Sequence, residues 1–371
     1  MIYLDNAATT KPCSAAISAA HEALECFGNP SSLHRLGMDA EKIISKARET
    51  VAHKLFAEPK NIYFTSGGIE SNNTAIIGYA AANGKRGRHL VTTKIEHPSV
   101  LESFRYLERL GFEVTYIGAN ADGTVSIEEF ENALRADTVL VSVMAVNNET
   151  GVIQPVDRLK ALMKEKSPLA VLHSDCVQAF CKIPLMPKKY GIDMLSVSAH
   201  KLHALKGTGA LYIADGVRIL PILNGGGQEK GLRSGTENTV GIAAFSGAIC
   251  GFSGIGQEKR TELSRKILEN IPYAVVNGKG ENSGYILNIS FTGVKSEVLL
   301  HSLEARGIFV STGSACSSHK PQPSHVLTAM GVKREDIEGA IRFSFCDEAF
   351  DSDLVVSVLK EEVEKIRKYV R

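Results

Sequence analysis

The chain has 371 residues, of which 44% are hydrophobic, and its 42 basic and 41 acidic side chains give a formal net charge of +1. A nearly neutral chain whose charges of both signs are interspersed offers no electrostatic reason to bind nucleic acid or an anionic membrane surface. No stretch approaches the roughly eighteen consecutive apolar residues of a transmembrane helix, so we expect no membrane span.

The cysteines and the N-terminal residues bear on the cellular compartment. The seven cysteines are odd in number and contain no Cys-x-x-Cys pair, which argues against a disulfide framework and against a structural zinc site. The opening MIYLDNAATT carries a charge and polar groups where a signal peptide would have its apolar core. We therefore expect a cytoplasmic protein.

Strands and helices alternate through the first two thirds of the chain. A short strand-like IYLD comes first, and a loop at 27–37 separates two helical patterns, at 14–26 and 39–56. Further helices are predicted at 71–82, 99–110 and 156–166. The strand-like segments are NIYFTS (61–66), HLVTTK (89–94), EVTYI (113–117), TVLVSVMAV (138–146), LAVLHSD (169–175), a strand before Lys201, and GALYIA (209–214). This alternation predicts an α/β domain with a mostly parallel sheet that helices cover on both faces.

The last third of the chain has a different order of predicted strands and helices. A helical segment at 240–268, interrupted by Gly and Ser near 251–256, leads into strands and helices of a smaller α+β unit. Its predicted strands are YAVVNG, YILNISF, IFVST and IRFSFC, and its predicted helices lie at 297–305, 326–330 and 351–369. We predict a large domain at 13–252 and a small domain made of 1–12 and 253–371.

Residues 193–209, DMLSVSAHKLHALKGTG, place a lysine just beyond an apolar strand. Open α/β sheets carry their reactive groups at the carboxyl ends of strands, where Lys201 falls. Its neighbours are hydroxyl and imidazole groups rather than carboxylates, so burial could free the amine as a Schiff-base nucleophile. The alternative is a loop lysine whose stem packs along the surface.

Two further strand ends suggest chemistry. The strand NIYFTS runs into GGIESNN, and a Gly pair at a helix start either frees backbone N–H groups for a single phosphate or merely forms a tight turn. Asp175 ends another strand, where a carboxylate needs a cationic partner such as a pyridinium nitrogen. It could instead be a helix cap, or a metal ligand with His173, but no third ligand is evident, so we expect no metal site.

Six motifs in order along the chain together resemble one enzyme family. They are IEHPSV with His97, VNNETG with Asn148, HSDCVQ with Asp175 and Gln178, SVSAHK with Lys201, GGGQEKGLRSGTEN with Thr236, and STGSACSS with Cys316. The set is similar to the cysteine desulfurases of the NifS/IscS type, in the class V aminotransferase superfamily of fold-type I pyridoxal-phosphate enzymes. The resemblance covers essentially the whole chain and implies the same fold, with a large domain and a smaller α+β domain.

The resemblance also implies a cofactor site, residue by residue. Lys201 would hold pyridoxal 5'-phosphate as a Schiff base and shuttle the α-proton, Asp175 would pair with the pyridinium nitrogen, and His97 would stack on the ring and assist proton transfer. The other implied cofactor ligands are Gln178 and Asn148 near the ring hydroxyl, Gly68, Ile69, Ser198 and His200 at the phosphate, and Thr236 from the neighbouring subunit of a homodimer.

For the reaction, the resemblance implies that Arg342, with Asn148 nearby, binds the carboxylate of L-cysteine; an ion pair of Arg342 with Asp347 or Glu348 is the alternative. Cys316 would take the sulfur as a persulfide and pass it to an acceptor protein that serves iron–sulfur cluster assembly or the thiolation of cofactors or tRNA.

Two departures from the family pattern stand out. Ile69 replaces a threonine whose hydroxyl usually binds the phosphate, and Ala204-Leu205 replaces the more usual Gly-Pro. Two other functions remain open from the sequence: a selenocysteine lyase or aminotransferase of the same fold, for which Cys316 would be dispensable, and a sulfur-relay subunit without catalytic activity.

Overall fold

The computed structural model describes residues 1–254, 258–312 and 323–369. Strands in these ranges build three sheets, the largest of which has seven strands. The strands are β1 (Ile2–Tyr3), β2 (Ile62–Thr65), β3 (His89–Thr93), β4 (Glu113–Ile117), β5 (Thr138–Ser142), β6 (Val171–Asp175), β7 (Met194–Ser198), β8 (Gly209–Ile213), β9 (Ala274–Asn277), β10 (Ile286–Phe291), β11 (Ile308–Phe309) and β12 (Ala340–Ser344).

Helices cover both the large sheet and the smaller ones. They are α1 (Ser14–Glu25), α2 (Arg35–Lys54), α3 (Gly68–Asn73), α4 (Tyr79–Asn83), α5 (Pro98–Arg109), α6 (Ile127–Ala133), α7 (Val156–Lys166), α8 (Pro187–Tyr190), α9 (Thr239–Gly251), α10 (Glu258–Asn270), α11 (Ser296–Ala305), α12 (His325–Ala329), α13 (Arg334–Ile337) and α14 (Ser352–Tyr369). A π-helical turn at Thr74–Gly78 joins α3 to α4, so one continuous helix runs from residue 68 to residue 83.

The large sheet has the order β2-β8-β7-β6-β5-β3-β4. Strands β7, β6, β5, β3 and β4 are parallel to one another, and β8 is antiparallel to both of its neighbours. The predicted α/β fold with a mostly parallel sheet is therefore confirmed. Strands β3, β5 and β7 are buried along their whole length, as expected where helices cover both faces.

The parallel strands bring their carboxyl ends to one edge of the sheet, and the predicted reactive residues lie at this edge. β6 ends at Asp175, and β7 ends at Ser198, directly before a 3₁₀ turn at Ala199–Lys201. At the same edge β3 leads into α5, which begins at Pro98 because the ring fixes a helical φ where an N–H is not needed. The face of α5 that carries Phe104 packs into the core.

A second, three-stranded antiparallel sheet has the order β12-β10-β9. β1 pairs in parallel with β11, and Leu4 packs in the same apolar cluster as Ile289, Phe343 and Leu359. The first residues of the chain thus pack with its last third. The division into two domains at residue 252 stays a prediction.

Several predicted boundaries need correction. The helix expected from residue 39 begins at Arg35, because His34 caps it by accepting a hydrogen bond from the Gly37 amide. The strand expected over 138–146 ends at Ser142. Helix α6 was not predicted from the sequence, although Ser126 caps it by accepting from the Glu129 amide.

Within these three described ranges, no helix has both the length and the apolar character needed to cross a membrane.

Candidate active site

A cavity of about 740 Å³ lies at the carboxyl ends of β6 and β7. That volume falls in the range of small-molecule and cofactor sites, about 300–1,000 Å³. Ten of the residues predicted from the sequence line it: Gly68, Ile69, His97, Asn148, Asp175, Gln178, Ser198, His200, Lys201 and Arg342.

The first residues of the chain hold the Lys201 side chain in this cavity. The Lys201 ammonium donates hydrogen bonds to the carbonyl oxygens of Ala7 and Ala8, each at 2.6 Å. Both alanines line the cavity as well. The amine that the sequence marks as a nucleophile therefore lies at the end of β7 and faces the interior of the site.

Asp175 is a buried carboxylate that accepts hydrogen bonds from neutral groups. Its Oδ2 accepts a hydrogen bond from Asn72 Nδ2 at 2.7 Å, and its Oδ1 accepts one from the Val177 amide at 2.9 Å. The side chains of the described ranges form no ion pair with it, although only 5% of the residue is exposed. A buried carboxylate of this kind suits a cationic ligand group, because burial without a positive partner is unfavourable.

His97 is linked to Asp175 through two polar side chains. Asn72 Nδ2 donates to Ser99 Oγ at 2.9 Å, and Ser99 Oγ lies 2.8 Å from His97 Nδ1. His97 Nδ1 also accepts from the Ser99 amide at 3.2 Å, which assigns the proton of the neutral ring to Nε2. Burial lowers the pKa of His97, so the ring is predominantly neutral near pH 7.

The Gly67-Gly68 pair forms an open cradle at the start of the helix. Gly67 has φ +153°, and a Cβ atom at residue 68 would lie only 2.7 Å from Val177 Cγ2. The first N–H groups of a helix have no partner within it, and the helix dipole favours an anion there. Ser198 lies beside the cradle and lines the same cavity, so its hydroxyl and the backbone N–H groups can donate to one anion.

His200 and Gln178 line the cavity in fixed orientations. His200 Nδ1 lies 3.1 Å from Thr9 Oγ1, and burial together with the charge of Lys201 lowers the pKa of His200 to about 4, so its ring is neutral. Gln178 Nε2 donates to the Ala7 carbonyl at 2.9 Å.

Arg342 reaches the cavity from β12, in the second sheet. Its Nη2 donates to Asp5 Oδ1 at 2.9 Å and its Nη1 to the Asn148 carbonyl at 3.0 Å, while its buried Nε has no partner among the described residues. The alternative ion pair with Asp347 or Glu348 is wrong, because the first strand of the chain brings Asp5 to the guanidinium instead. Each Nη carries a second N–H group that can donate to a carboxylate ligand.

The ring of His173 is hydrogen-bonded within the core on both sides. Its Nδ1 lies 2.8 Å from Ser142 Oγ and its Nε2 lies 3.0 Å from Ser196 Oγ, so both ring nitrogens have partners on the neighbouring strands. Burial lowers its pKa to about 3. The described residues contain no group of three or more His, Cys, Asp and Glu that could hold a metal ion.

Residues 2–354 match the family model of the class-V aminotransferases. The chain is 43% identical to the cysteine desulfurase IscS of Methanosarcina thermophila over 376 residues, which cover 99% of this chain and 93% of the relative. The chain belongs to the class-V aminotransferase family. Within it, the chain is also 42% identical to the cysteine desulfurase IscS of Clostridium botulinum, over 99% of this chain and 95% of the relative.

Two solved structures share this fold. A NifS-like protein is 36% identical with a TM-score of 0.87 and covers 100% of this chain and 99% of its own. SspA, solved in complex with cysteine, is 34% identical with a TM-score of 0.85, over 94% of this chain and 100% of its own.

Class-V aminotransferases and cysteine desulfurases depend in general on pyridoxal phosphate. The residues of this cavity fit that group. The unpaired buried carboxylate of Asp175 matches a protonated ring nitrogen, the Gly67-Gly68 cradle matches a phosphate, and the Lys201 amine matches an aldehyde carbon.

Two residues expected at the site are not among the described residues that line the cavity. Cys316 lies outside the described residues. Thr236 is exposed and does not line the cavity, but an ion pair of Arg233 Nε with Glu70 Oε1 at 3.0 Å holds its loop against the start of the helix. A role for Thr236 in the neighbouring subunit's site stays a prediction.

Four contributors to the site were missed in the sequence: Asn72, Asp5, and the carbonyl groups of Ala7 and Ala8. Asn72 could have been suspected from the Asn-Asn pair that follows the Gly-rich turn. The others gave no signal, because their contacts join positions more than 190 residues apart.

Proposed function

We propose that this chain is a pyridoxal-phosphate-dependent cysteine desulfurase that converts L-cysteine to L-alanine and retains the sulfur as a persulfide on Cys316. The observation that carries the proposal is the convergence of Lys201, Asp175 and Arg342 on one cavity. An amine, an unpaired buried carboxylate and a guanidinium are the groups needed to hold an aldehyde cofactor and an amino acid together. The identity of 43% to a cysteine desulfurase supports the choice of substrate.

Pyridoxal phosphate, when bound, supplies an electron sink for the charge that develops when the α-proton leaves the substrate. Lys201 would hold the aldehyde carbon through its amine and then accept the α-proton. Asp175 would keep the ring nitrogen protonated, and Asn72 fixes the orientation of its carboxylate. Gln178 would donate to the ring hydroxyl, with Asn148 beside it.

The phosphate would bind at the helix start. The backbone N–H groups of Gly68 and Ile69 and the side chains of Ser198 and His200 supply its donors. Because Ile69 has no hydroxyl, the backbone contributes more of this binding than a threonine at that position would require.

Arg342 would hold the substrate carboxylate. Its contacts to Asp5 and to the Asn148 carbonyl fix the plane of the guanidinium, and the planar fork is suited to a carboxylate. His97 would stack on the ring. With its proton on Nε2, the neutral imidazole would act first as a hydrogen-bond donor in the cavity rather than as a base.

The sulfur step rests on the motif that surrounds Cys316. The Cys316 thiolate attacks the sulfur atom of the bound cysteine, and a new sulfur–sulfur bond forms. The electron pair of the broken carbon–sulfur bond stays on the substrate carbon and is protonated there. The products are L-alanine and a persulfide on Cys316.

The protein would act as a homodimer in which Thr236 reaches the phosphate of the neighbouring site. An acceptor protein would collect the persulfide sulfur for iron–sulfur cluster assembly or for thiolation of cofactors or tRNA. The cytoplasmic location expected from the cysteines stays a prediction.

Reductive trapping tests this proposal at Lys201. Borohydride treatment of the purified protein should fix pyridoxal phosphate to Lys201, as located by peptide mass spectrometry. Lys201→Ala should carry no reduced adduct and should form less than about one thousandth of the wild-type alanine, because the same amine holds the cofactor and moves the proton.

Lys206→Ala is the matched control, since it removes an exposed lysine five positions away. It should keep both the adduct and the activity. An adduct on another lysine, or a wild-type protein that forms no alanine from L-cysteine, would contradict the proposal.

A further inference from the structure

Lys182 lies behind the cavity and contacts it through Gln178. Its ammonium donates a hydrogen bond to Gln178 Oε1 at 3.2 Å and lies 5.4 Å from the centroid of the Tyr285 ring, at cation–π distance. Gln178 Nε2 in turn donates to the Ala7 carbonyl, which also accepts from Lys201. A continuous hydrogen-bonded path therefore runs from Lys182 to the proposed nucleophile.

This path fixes which end of the Gln178 amide faces the cavity. The Ala7 carbonyl can only accept, so the NH₂ end of the amide faces Ala7, and the amide oxygen faces Lys182, which donates to it. The NH₂ group is then directed away from Lys182, with one hydrogen on the Ala7 carbonyl and the other available to a ligand. The amide can therefore donate to a ligand oxygen in the cavity but cannot accept from it.

Lys182 is held at this position at a cost to the chain. The preceding Cys181 has φ +63°, in the left-handed region that residues other than glycine rarely adopt. Lys182 also lines a separate cavity of about 490 Å³, together with Asp157 and Glu281. Neither of these carboxylates, nor any other described residue, forms an ion pair with Lys182. Burial and the charge of Lys201 lower the pKa of Lys182 to about 7. A lysine that is kept here without a carboxylate partner points to a role beyond stability.

We infer that Lys182 is a positioning residue that orients the Gln178 amide, so that the site selects a ligand presenting an acceptor oxygen at that point. The inference rests on the proposed function for the identity of that ligand, the ring hydroxyl oxygen of pyridoxal phosphate. In Lys182→Met the Gln178 amide loses one of its two anchors and keeps only the Ala7 carbonyl, so its second N–H is no longer held toward the ring oxygen.

The test compares two probes after bound cofactor has been removed: pyridoxal phosphate, and 3-deoxypyridoxal phosphate, which lacks the ring hydroxyl. Their dissociation constants are measured by equilibrium dialysis with wild type, Lys182→Met and Lys182→Arg. Lys182→Met should weaken binding of pyridoxal phosphate about tenfold and leave binding of the deoxy probe unchanged, and Lys182→Arg should behave as wild type.

Lys54→Met is the matched control. Lys54 lines a neighbouring cavity, and its substitution removes the same charge without touching Gln178. It should change neither constant. Equal weakening of both probes by Lys182→Met would show a general structural role, and no change in either would show no role; both results overturn the inference while leaving the proposed function intact. Wild-type protein that binds neither probe would instead overturn the proposed function, and this inference with it.

Discussion

Glu96, next to His97, is a fully buried acid whose ionisation should couple stability to pH. Its Oε1 accepts from Thr93 Oγ1 and from the Met144 amide, each at 2.9 Å, while its Oε2 has no partner among the described residues. Burial raises the pKa of Glu96 from 4.5 to about 8, and the charge of Asp175 acts in the same direction. Between pH 4.5 and about pH 8 the folded protein therefore keeps the proton of Glu96, whereas the unfolded chain releases it.

Rising pH should accordingly favour the unfolded chain across the range from about 4.5 to 8. Glu96→Gln keeps an oxygen for both donors and cannot ionise. From pH 5 to pH 8 its free energy of unfolding should gain on the order of 3 kcal/mol relative to wild type, measured by urea denaturation at each pH. The exposed control Glu165→Gln should show the same pH dependence of the free energy of unfolding as wild type. If Glu96→Gln also showed the wild-type pH dependence, Glu96 would be ionised in the folded protein.

For individual residues, the sequence predicts the reactive groups at the ends of strands but not the groups that orient them. Lys201 and Asp175 were recognised because each follows an apolar strand. The oxygens that bind Lys201 belong to Ala7 and Ala8, whose side chains carry no polar group to suggest a contact. Backbone acceptors from distant segments leave no trace in residue type.

Among the elements, α12 directly follows the segment that contains Cys316. Ser324 caps this helix by accepting from the Leu327 amide at 3.1 Å, and its hydroxyl donates to Glu149 Oε2 at 2.5 Å. Glu149 is buried beside Asn148, and burial raises its pKa. One hydroxyl therefore fixes both the start of α12 and a buried acid at the edge of the site.

Ser324→Ala should lower the free energy of unfolding by about 1–3 kcal/mol, through a lost cap and a buried carboxyl oxygen left without its partner. Turnover should fall with it, because α12 sets one end of the segment that carries Cys316. Ser324→Thr retains the hydroxyl and should stay close to wild type in urea denaturation. A Ser324→Ala protein as stable and as active as wild type would mean that this contact is unimportant.

The elements themselves were predictable to different degrees. Strands such as β7 were found because a run of buried apolar residues gives a clear signal. The sequence predicts the start of helix α2 too far along the chain, because the first turn of the helix, Arg35 to Met38, follows a loop rich in turn residues. Helix α6 was missed because it is short and has Phe130 as its only buried residue, which leaves no repeating apolar pattern.

For the whole molecule, the proposed dimer accounts for apolar side chains that lie open to solvent. Leu33 is 96% exposed and Phe27 is 81% exposed, both between α1 and α2, and Ile69 at the cavity is 65% exposed. Single exposed apolar residues are common, but a second copy of the chain would bury such a group favourably. Thr236, exposed and outside its own cavity, fits the same arrangement.

Light scattering after size-exclusion chromatography should give the mass of a dimer. Leu33→Glu should shift the protein toward the monomer and weaken binding of pyridoxal phosphate, because each site would lose the Thr236 of its neighbour. Leu354→Glu, at a half-exposed position on α14, should do neither. A monomeric wild type that binds the cofactor tightly would contradict the dimer.

The alternation of strands and helices predicts the class of fold but not the strand order. Nothing in the sequence places β8 between β2 and β7, or pairs the two residues of β1 with β11 near the other end of the chain. These pairings depend on contacts between distant segments, so only the structure reveals that the first residues complete the site.

The mapping of sulfur after reaction with L-cysteine tests the central claim most directly. Wild-type protein is incubated with one equivalent of L-cysteine, and the persulfide is located by alkylation and peptide mass spectrometry while alanine is counted in the same sample. The account predicts a persulfide on Cys316 and one alanine per persulfide, and it predicts that Cys316→Ser binds pyridoxal phosphate normally but forms neither product. A persulfide on another cysteine, or alanine and sulfide from Cys316→Ser at near wild-type rates, would contradict it and would indicate a lyase.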